Sequence, residues 1–192
     1  MNAARPDGHA LSVEIATALA AHDLHDLCDA TNAAILEGGG FGWIGIQDRA
    51  VLERHFQGTL LVPDRTLFLA RLDGVVVGSA QLVRPPRNNE AQAFAGTLNH
   101  AYIAPYARGF GLARALVARV EEHAAASGMR VLNLDVRETQ QSAIALFEGL
   151  GFTRWGTHPA YARVEGRTVA GHYYTKLLEP GRGRSTESLI GP

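Results

Sequence analysis

One stretch constrains the fold more than any other. Residues 94–128 read FAGTLNHAYIAPYARGFGLARALVARVEEHAAASG. A β-prone run closes at Pro105, and Gly109 and Gly111 stand directly before an amphipathic helix. Leu112, Leu116, Val117, Val120 and Ala124 share one face of that helix, and Gly128 marks its end. A strand, a glycine turn and a helix in this order need a sheet to hold the strand and an open helix start beside the turn. Glycine has no Cβ to keep a ligand off the backbone. The first N–H groups of a helix have no intrahelical acceptor and lie at its positive end. The stretch therefore predicts an anion site of the phosphate type.

The rest of the chain supplies the sheet. ALSVEIATA (10–18) reads as a first strand. DLHDLCDATNAAILEGG (23–39) has helical spacing, with Asp23 as N-cap and Gly38 as stop. QDRAVLERHFQG (47–58) is a second short helix. TLFLARLDGVVVGSAQLV (66–83) is two strands around Asp73-Gly74, a strong hairpin signal. After the glycine helix, RVLNLDV (130–136) is a strand and TQQSAIALFEGLG (139–151) a helix capped by Thr139. FTRWGTH (152–158) and RTVAGHYYTKLL (167–178) are the last strands. The order β-α-α-β-β-β-α-β-α-β-β predicts an α/β chain with a mixed sheet. Residues 1–9 read as a flexible terminus, 10–179 as one domain and 180–192 as a disordered tail.

Composition removes several classes of function. A formal net charge of −1 over 192 residues, with no basic block, argues against nucleic acid and anionic membranes as partners. The single cysteine, Cys28, leaves no disulfide framework and no cysteine-based zinc site, and it reads as a buried apolar residue. His22 and His25 have ligand-like spacing but lie at a helix start with no third ligand cluster, so no metal is expected. No signal peptide and no apolar run of membrane length is visible, which points to the cytoplasm.

Two phosphate readings compete. In a dinucleotide fold, Gly109-Phe110-Gly111 would hold a pyrophosphate and Asp135 a ribose, making the chain an NAD-binding oxidoreductase. The third glycine of that fingerprint is Arg114, and a hairpin stands where a βαβ unit should. In the second reading, Arg108-Gly109-Phe110-Gly111-Leu112-Ala113 fits Arg/Gln-x-x-Gly-x-Gly/Ala. With SAIALFEGLGF (142–152), similar to Asn-x-x-Ala-x-x-Leu-Tyr-x-x-x-Gly-Phe, the sequence resembles the GNAT superfamily of acyl-CoA N-acyltransferases over about residues 10–178. LNLDVRE, WGTHPAYARVEGRTVAGHYYTKLL and the glycine-rich LEGGGFGWIG look like the subgroup that includes the tabtoxin-resistance acetyltransferase.

The resemblance implies a GNAT fold: a mixed, mostly antiparallel sheet of six to seven strands, helices on both faces, and a wedge between the strands ending near Ala104 and Val136. Acetyl-CoA would enter as co-substrate. Ile103, Arg108, Gly109, Phe110, Gly111, Leu112, Ala113 and Arg114 would meet it, the N–H of Ile103 polarising the acyl carbonyl. Gln140 stands where the family has asparagine, and Phe147 where it has the tyrosine assigned as acid for the leaving thiolate. That departure implies a slower enzyme, another acid such as Tyr161 or Tyr173, or no catalysis.

On the acceptor side the resemblance supplies the positions, including a functional Asp at Asp135, and residue chemistry the roles. Thr97 and Asn99 lie where the family often has a basic Glu or His. His100 should point the other way by strand alternation unless a bulge re-aims it, and is read as structural. Asp135 at a strand end would hold the acceptor's ammonium, with Tyr161 as second catalytic residue. Trp43 (with Phe41) and His172 (with His158) would line the acceptor pocket. The expected activity is direct acetyl transfer from acetyl-CoA to a primary amine of a small molecule, in a ternary complex. The alternative is a catalytically degenerate acyl-CoA-binding or sensor module. A homodimer stays open.

Overall fold

The computed structural model describes residues 3–4, 8–39 and 42–179. In chain order the elements are β1 (Ala3–Ala4), β2 (Ala10–Ala16), α1 (Ala21–Leu36), α2 (Arg49–Leu61), β3 (Arg65–Leu72), β4 (Val75–Val83), β5 (Ala95–Ile103), α3 (Leu112–Ala126), β6 (Val131–Arg137), α4 (Gln141–Gly149), β7 (Thr153–Val164) and β8 (Arg167–Leu177). They form one mixed sheet in the order β1-β2-β3-β4-β5-β6-β8-β7, in which β1 is a two-residue edge. The pair β5–β6 is parallel and every other neighbouring pair is antiparallel. The expected tail at 180–192 and Phe41 lie outside the described residues.

Local chemistry accounts for the turns. Asp73 (φ 51°) and Gly74 (φ 88°) are both left-handed, which the tight β3–β4 hairpin requires. Glu165 (φ 49°) and Gly166 (φ 76°) do the same between β7 and β8, a signal the sequence reading passed over. β5 and β6 run parallel, so they need a crossover, and α3 is that crossover.

The middle strands are buried on both faces. In β3, Leu67 and Leu69 face α1 and α2, where Leu27, Leu52 and Phe56 complete one core. Phe68 and Ala70 face the opposite core, with Leu116, Val120, Leu132 and Tyr174. So α1 and α2 cover one face, and α3 and α4 the other. No described helix is long and apolar enough to cross a membrane.

Three local expectations are corrected. α1 starts at Ala21 with Ala20 at the cap, and Asp23 lies inside the first turn. Its carboxylate accepts a 2.6 Å bond from Arg71, which holds it below the usual carboxylate range. Gln140, not Thr139, is the residue before α4, and it makes no side-chain cap bond. β7 does not stop at His158 but continues through an irregularity to Val164.

Candidate active site

The parallel pair is short. Ala95–Thr97 pairs with Val131–Asn133, and beyond that point β5 and β6 run on without pairing. The gap between them opens a cavity of about 450 Å³. Asn99, His100, Asp135, Arg137, Gln140, Phe147, Tyr161 and Arg163 are among the residues that line it. This is the wedge expected between the strand ends.

Hydrogen-bond parity decides what the β5 backbone presents there. Gly78 and Ile103 are partners across β4–β5, and the N–H of Ala104 donates to the Val77 carbonyl at 2.8 Å. Gly78–Ile103 is therefore a non-hydrogen-bonded pair, and the N–H of Ile103 points away from β4, toward the gap. Its carbonyl, on the same side, accepts from the Arg108 Nε at 3.3 Å.

A bulge changes the side chains of β5. The register with β4 slips between Ser79 and Gln81, where three β5 steps oppose two. His100 sits in the slip with φ 49°, a left-handed value rare for a bulky residue. Alternation is broken by one, so His100 joins Asn99 on the α1–α2 face. There its ring lies 5.6 Å from the His55 ring, which in turn lies 5.0 Å from Trp43. The reading of His100 as pointing away from the site is corrected: it lines the cavity. Burial, with help from His55 and Arg65, pushes its pKa down to about 4 against a small opposing pull from Asp135. At neutral pH the ring is uncharged.

Asp135 and Tyr161 form the polar centre of that face. Leu132, Leu134 and Val136 of β6 enter the α3–α4 core, so Asp135 and Arg137 face the other way. The Tyr161 phenol donates to Asp135 Oδ2. Two extra residues in β7 between His158 and Ala162 carry Tyr161 over β8 to reach it. Gly171 makes room beneath: a Cβ there would clash with Cγ, Cδ1 and Cδ2 of the Tyr161 ring. Burial, then the bond to Asp135, push the Tyr161 pKa upward, so the phenol holds its proton at any working pH. Tyr173 packs edge-on against Tyr161 at 6.1 Å.

The opposite wall belongs to α4. Ala143 and Phe147 line it, and Phe147 packs on Phe152 at 5.7 Å. Gln140 donates to the Gly38 carbonyl at 2.8 Å, and Arg137, buried, donates to the Gly39 carbonyl. Together they tie the glycine-rich turn after α1 to the wedge.

The glycine turn itself is as open as expected. A short 3-10 turn at Pro105–Ala107 leads to Arg108, which pairs with Glu37 at 2.6 Å. Gly109 (φ 88°) and Gly111 (φ 83°) are left-handed, and no side chain caps α3. The first N–H groups of α3 are thus left for a ligand. Leu112 is buried and Ala113 packs on the same core, so both contribute backbone only. Phe110 packs edge-on against His9 at 5.0 Å. Arg114 reaches the Gly149 carbonyl at the end of α4, at 3.5 Å.

Three acceptor-side candidates fall elsewhere. Thr97 is in the last parallel pair and lines a separate cavity of about 430 Å³ with Arg84 and Phe94. His172 pairs with Val136 and so shares its face, on the α3–α4 side and away from Asp135. It bonds to the Thr157 hydroxyl at 3.0 Å. Trp43 packs against the α1–α2 core, while its neighbours Gly42 and Ile44 line the wedge. Cys28 is buried in that core and burial pushes its thiol up to about 11. The sequence reading weighed His100 but took it as structural, and it missed Arg137, Arg163 and Gly171. Arg137 alone had a signal, two residues beyond Asp135 on one strand face.

Residues 37–152, more than half of the chain, match the Acetyltransferase (GNAT) family. The chain belongs to this family and is an N-acetyltransferase by class. It is 59% identical over 131 residues to an uncharacterised N-acetyltransferase in the hisH–hisA intergenic region of Azospirillum brasilense, covering 68% of this chain and 78% of the relative. An IAA acetyltransferase of the same organism is 31% identical over 103 residues, covering 54% and 64%. An N-acetyltransferase of Staphylococcus aureus superposes with a TM-score of 0.75 at 20% identity, over 88% of this chain and 99% of that one. A phosphinothricin acetyltransferase of Sinorhizobium meliloti, solved in complex with acetyl-CoA, gives 0.72 at 23% identity, over 93% and 97%. One parallel pair in an otherwise antiparallel sheet sets the dinucleotide fold aside.

Proposed function

We propose that this chain transfers an acetyl group from acetyl-CoA to a primary amine of a small molecule, directly in a ternary complex. The observation that carries the reading is the split between β5 and β6, with Asp135 and Tyr161 on one wall and the N–H of Ile103 aimed into it. The residues fit the co-substrate. Gly109, Gly111 and the uncapped first turn of α3 suit a pyrophosphate, with Arg108 and Arg114 adding charge. Gln140 and Phe147 would flank the arm that enters the wedge. Bound there, acetyl-CoA supplies an acyl carbonyl carbon to be attacked and a thiolate to leave.

The remaining work falls to this chain. An alkylamine with a pKa near 10.4 is neutral in only ~1 of 2,500 molecules at pH 7, a cost of about 4–5 kcal/mol. Asp135 holds the ammonium by charge and passes its proton to water. His100, uncharged, does not repel that ammonium. The N–H of Ile103 donates to the oxygen that gains charge when the C–N bond forms. The nitrogen then gives its second proton to water, the C–S bond breaks and the sulfur leaves as a thiolate, whose thiol has an ordinary pKa near 8.5. Tyr161, since Phe147 has no hydroxyl, is the hydrogen-bond donor in reach of the same cavity. The tabtoxin-resistance likeness rests on its motifs and adds no acceptor to this reading.

Thiol release against a panel of amines tests the proposal. Asp135→Asn should keep CoA affinity and lower kcat/KM by ~10²-fold, about 2.7 kcal/mol. If no amine gives thiol release while CoA still binds, the chain is an acyl-CoA sensor instead.

A further inference from the structure

The turn before α3 is held by a residue from the far end of the chain. Phe110 stands between Gly109 (φ 88°) and Gly111 (φ 83°), both left-handed. A Cβ at Gly109 would meet nothing within 4 Å, so that glycine serves the backbone angle and not packing. Two glycines around one residue leave a turn with many accessible conformations. A ligand that must order such a turn loses affinity to the entropy of doing so.

Two other elements fix the turn in advance. Arg108 is tied to the end of α1 by its 2.6 Å pair with Glu37, and it donates to the Ile103 carbonyl at 3.3 Å. The Phe110 ring packs on His9, just before β2, with centroids 5.0 Å apart and the rings 73° from coplanar. His9 is itself anchored. Its Nδ1 donates to Asp73 Oδ2 at 2.6 Å, and the N–H of Ala10 donates to Asp73 Oδ1 at 2.8 Å. These two bonds, that of His9 first, hold Asp73 below the usual carboxylate range. Asp73 is the left-handed residue of the β3–β4 hairpin, and its N–H donates to the Ala10 carbonyl at 2.8 Å. Asp73, His9 and Phe110 thus link the tip of that hairpin to the turn.

We propose that His9 is a positioning residue for the co-substrate: anchored by Asp73, it holds Phe110 and so presets the Gly109–Gly111 turn for the pyrophosphate of CoA. This rests on the placement of CoA in the reading above. His9 touches no phosphate in this account and works only through the Phe110 ring. Losing the contact should therefore raise the Kd for CoA by what an edge-on aromatic pair contributes, roughly 2- to 10-fold.

Isothermal titration of the full chain with CoA tests it. His9→Ala should weaken binding by that factor. His9→Phe keeps a ring against Phe110 and should recover most of the affinity. His9→Gln keeps a donor for Asp73 but no ring, and should not. Phe110→Ala should weaken binding by itself, and adding His9→Ala to it should cost nothing more. Thermal unfolding without CoA shows that each variant is folded. An unchanged Kd in His9→Ala, no recovery in His9→Phe, or the same loss with and without the Phe110 ring overturns the inference and leaves acetyl transfer standing. A wild type that binds no CoA overturns the acetyl-transfer reading itself, and this one with it.

Discussion

Gly171→Ala should damage the candidate site from beneath. Gly171 is not in the left-handed region, so alanine adds no backbone strain. The added methyl must occupy space now held by the Tyr161 ring, at Cγ, Cδ1 and Cδ2. The ring has to lift off β8, and its phenol then leaves Asp135. A hydrogen bond to a charged group contributes about 1.5–3 kcal/mol. The expected loss in kcat/KM is therefore ~10- to 100-fold. Stability should change less, because overpacking costs about 1–3 kcal/mol while alanine recovers roughly 0.5–1 kcal/mol of glycine's entropy. Tyr161→Phe should give a similar kinetic loss with the ring in place. The double variant decides the matter: once alanine has expelled the ring, removing its hydroxyl should cost almost nothing more. The assay is thiol release for the wild type, both single variants and the double variant. Full activity in Gly171→Ala, or two losses that simply multiply, would refute the argument that Gly171 serves to seat Tyr161 on Asp135.

Two further outcomes follow from other parts of the molecule. CoA should raise the melting temperature and NAD should not, and Gly111→Asp, which puts a Cβ and a carboxylate at the uncapped start of α3, should abolish the CoA shift. His100 is held at about 4 in the folded state against an ordinary 6.5, so the unfolded chain binds the extra proton first. Stability should fall by about 2–3 kcal/mol as pH drops through that window from 6.5 to 4, on top of other groups. His100→Asn, which tolerates the left-handed backbone, should flatten this dependence in denaturant titrations at pH 7 and pH 5. An unchanged slope would remove His100 as its source.

Periodicity made the element order legible before any coordinates. Alternation in 66–83, helical spacing in 112–124 and the glycines at 109 and 111 each act within a few residues, and local sterics suffice to read them. Gln140 and Phe147 were placed at the cleft by the likeness of 142–152 to the family motif, and Asp135 by its place late in a strand together with the subgroup resemblance. What lay beyond the sequence were the breaks in parity and the contacts between distant strands. One extra residue in β5 turned His100 toward the site, and two in β7 brought Tyr161 onto Asp135, 26 positions away. Which side of β8 faces Asp135 was likewise undetermined, and His172 fell on the other one. A side chain's face is a running count along its strand, and a bulge resets that count for reasons set by the neighbouring strands. Tertiary packing alone decides where the count resets, and so it decided which of these residues meet in the wedge.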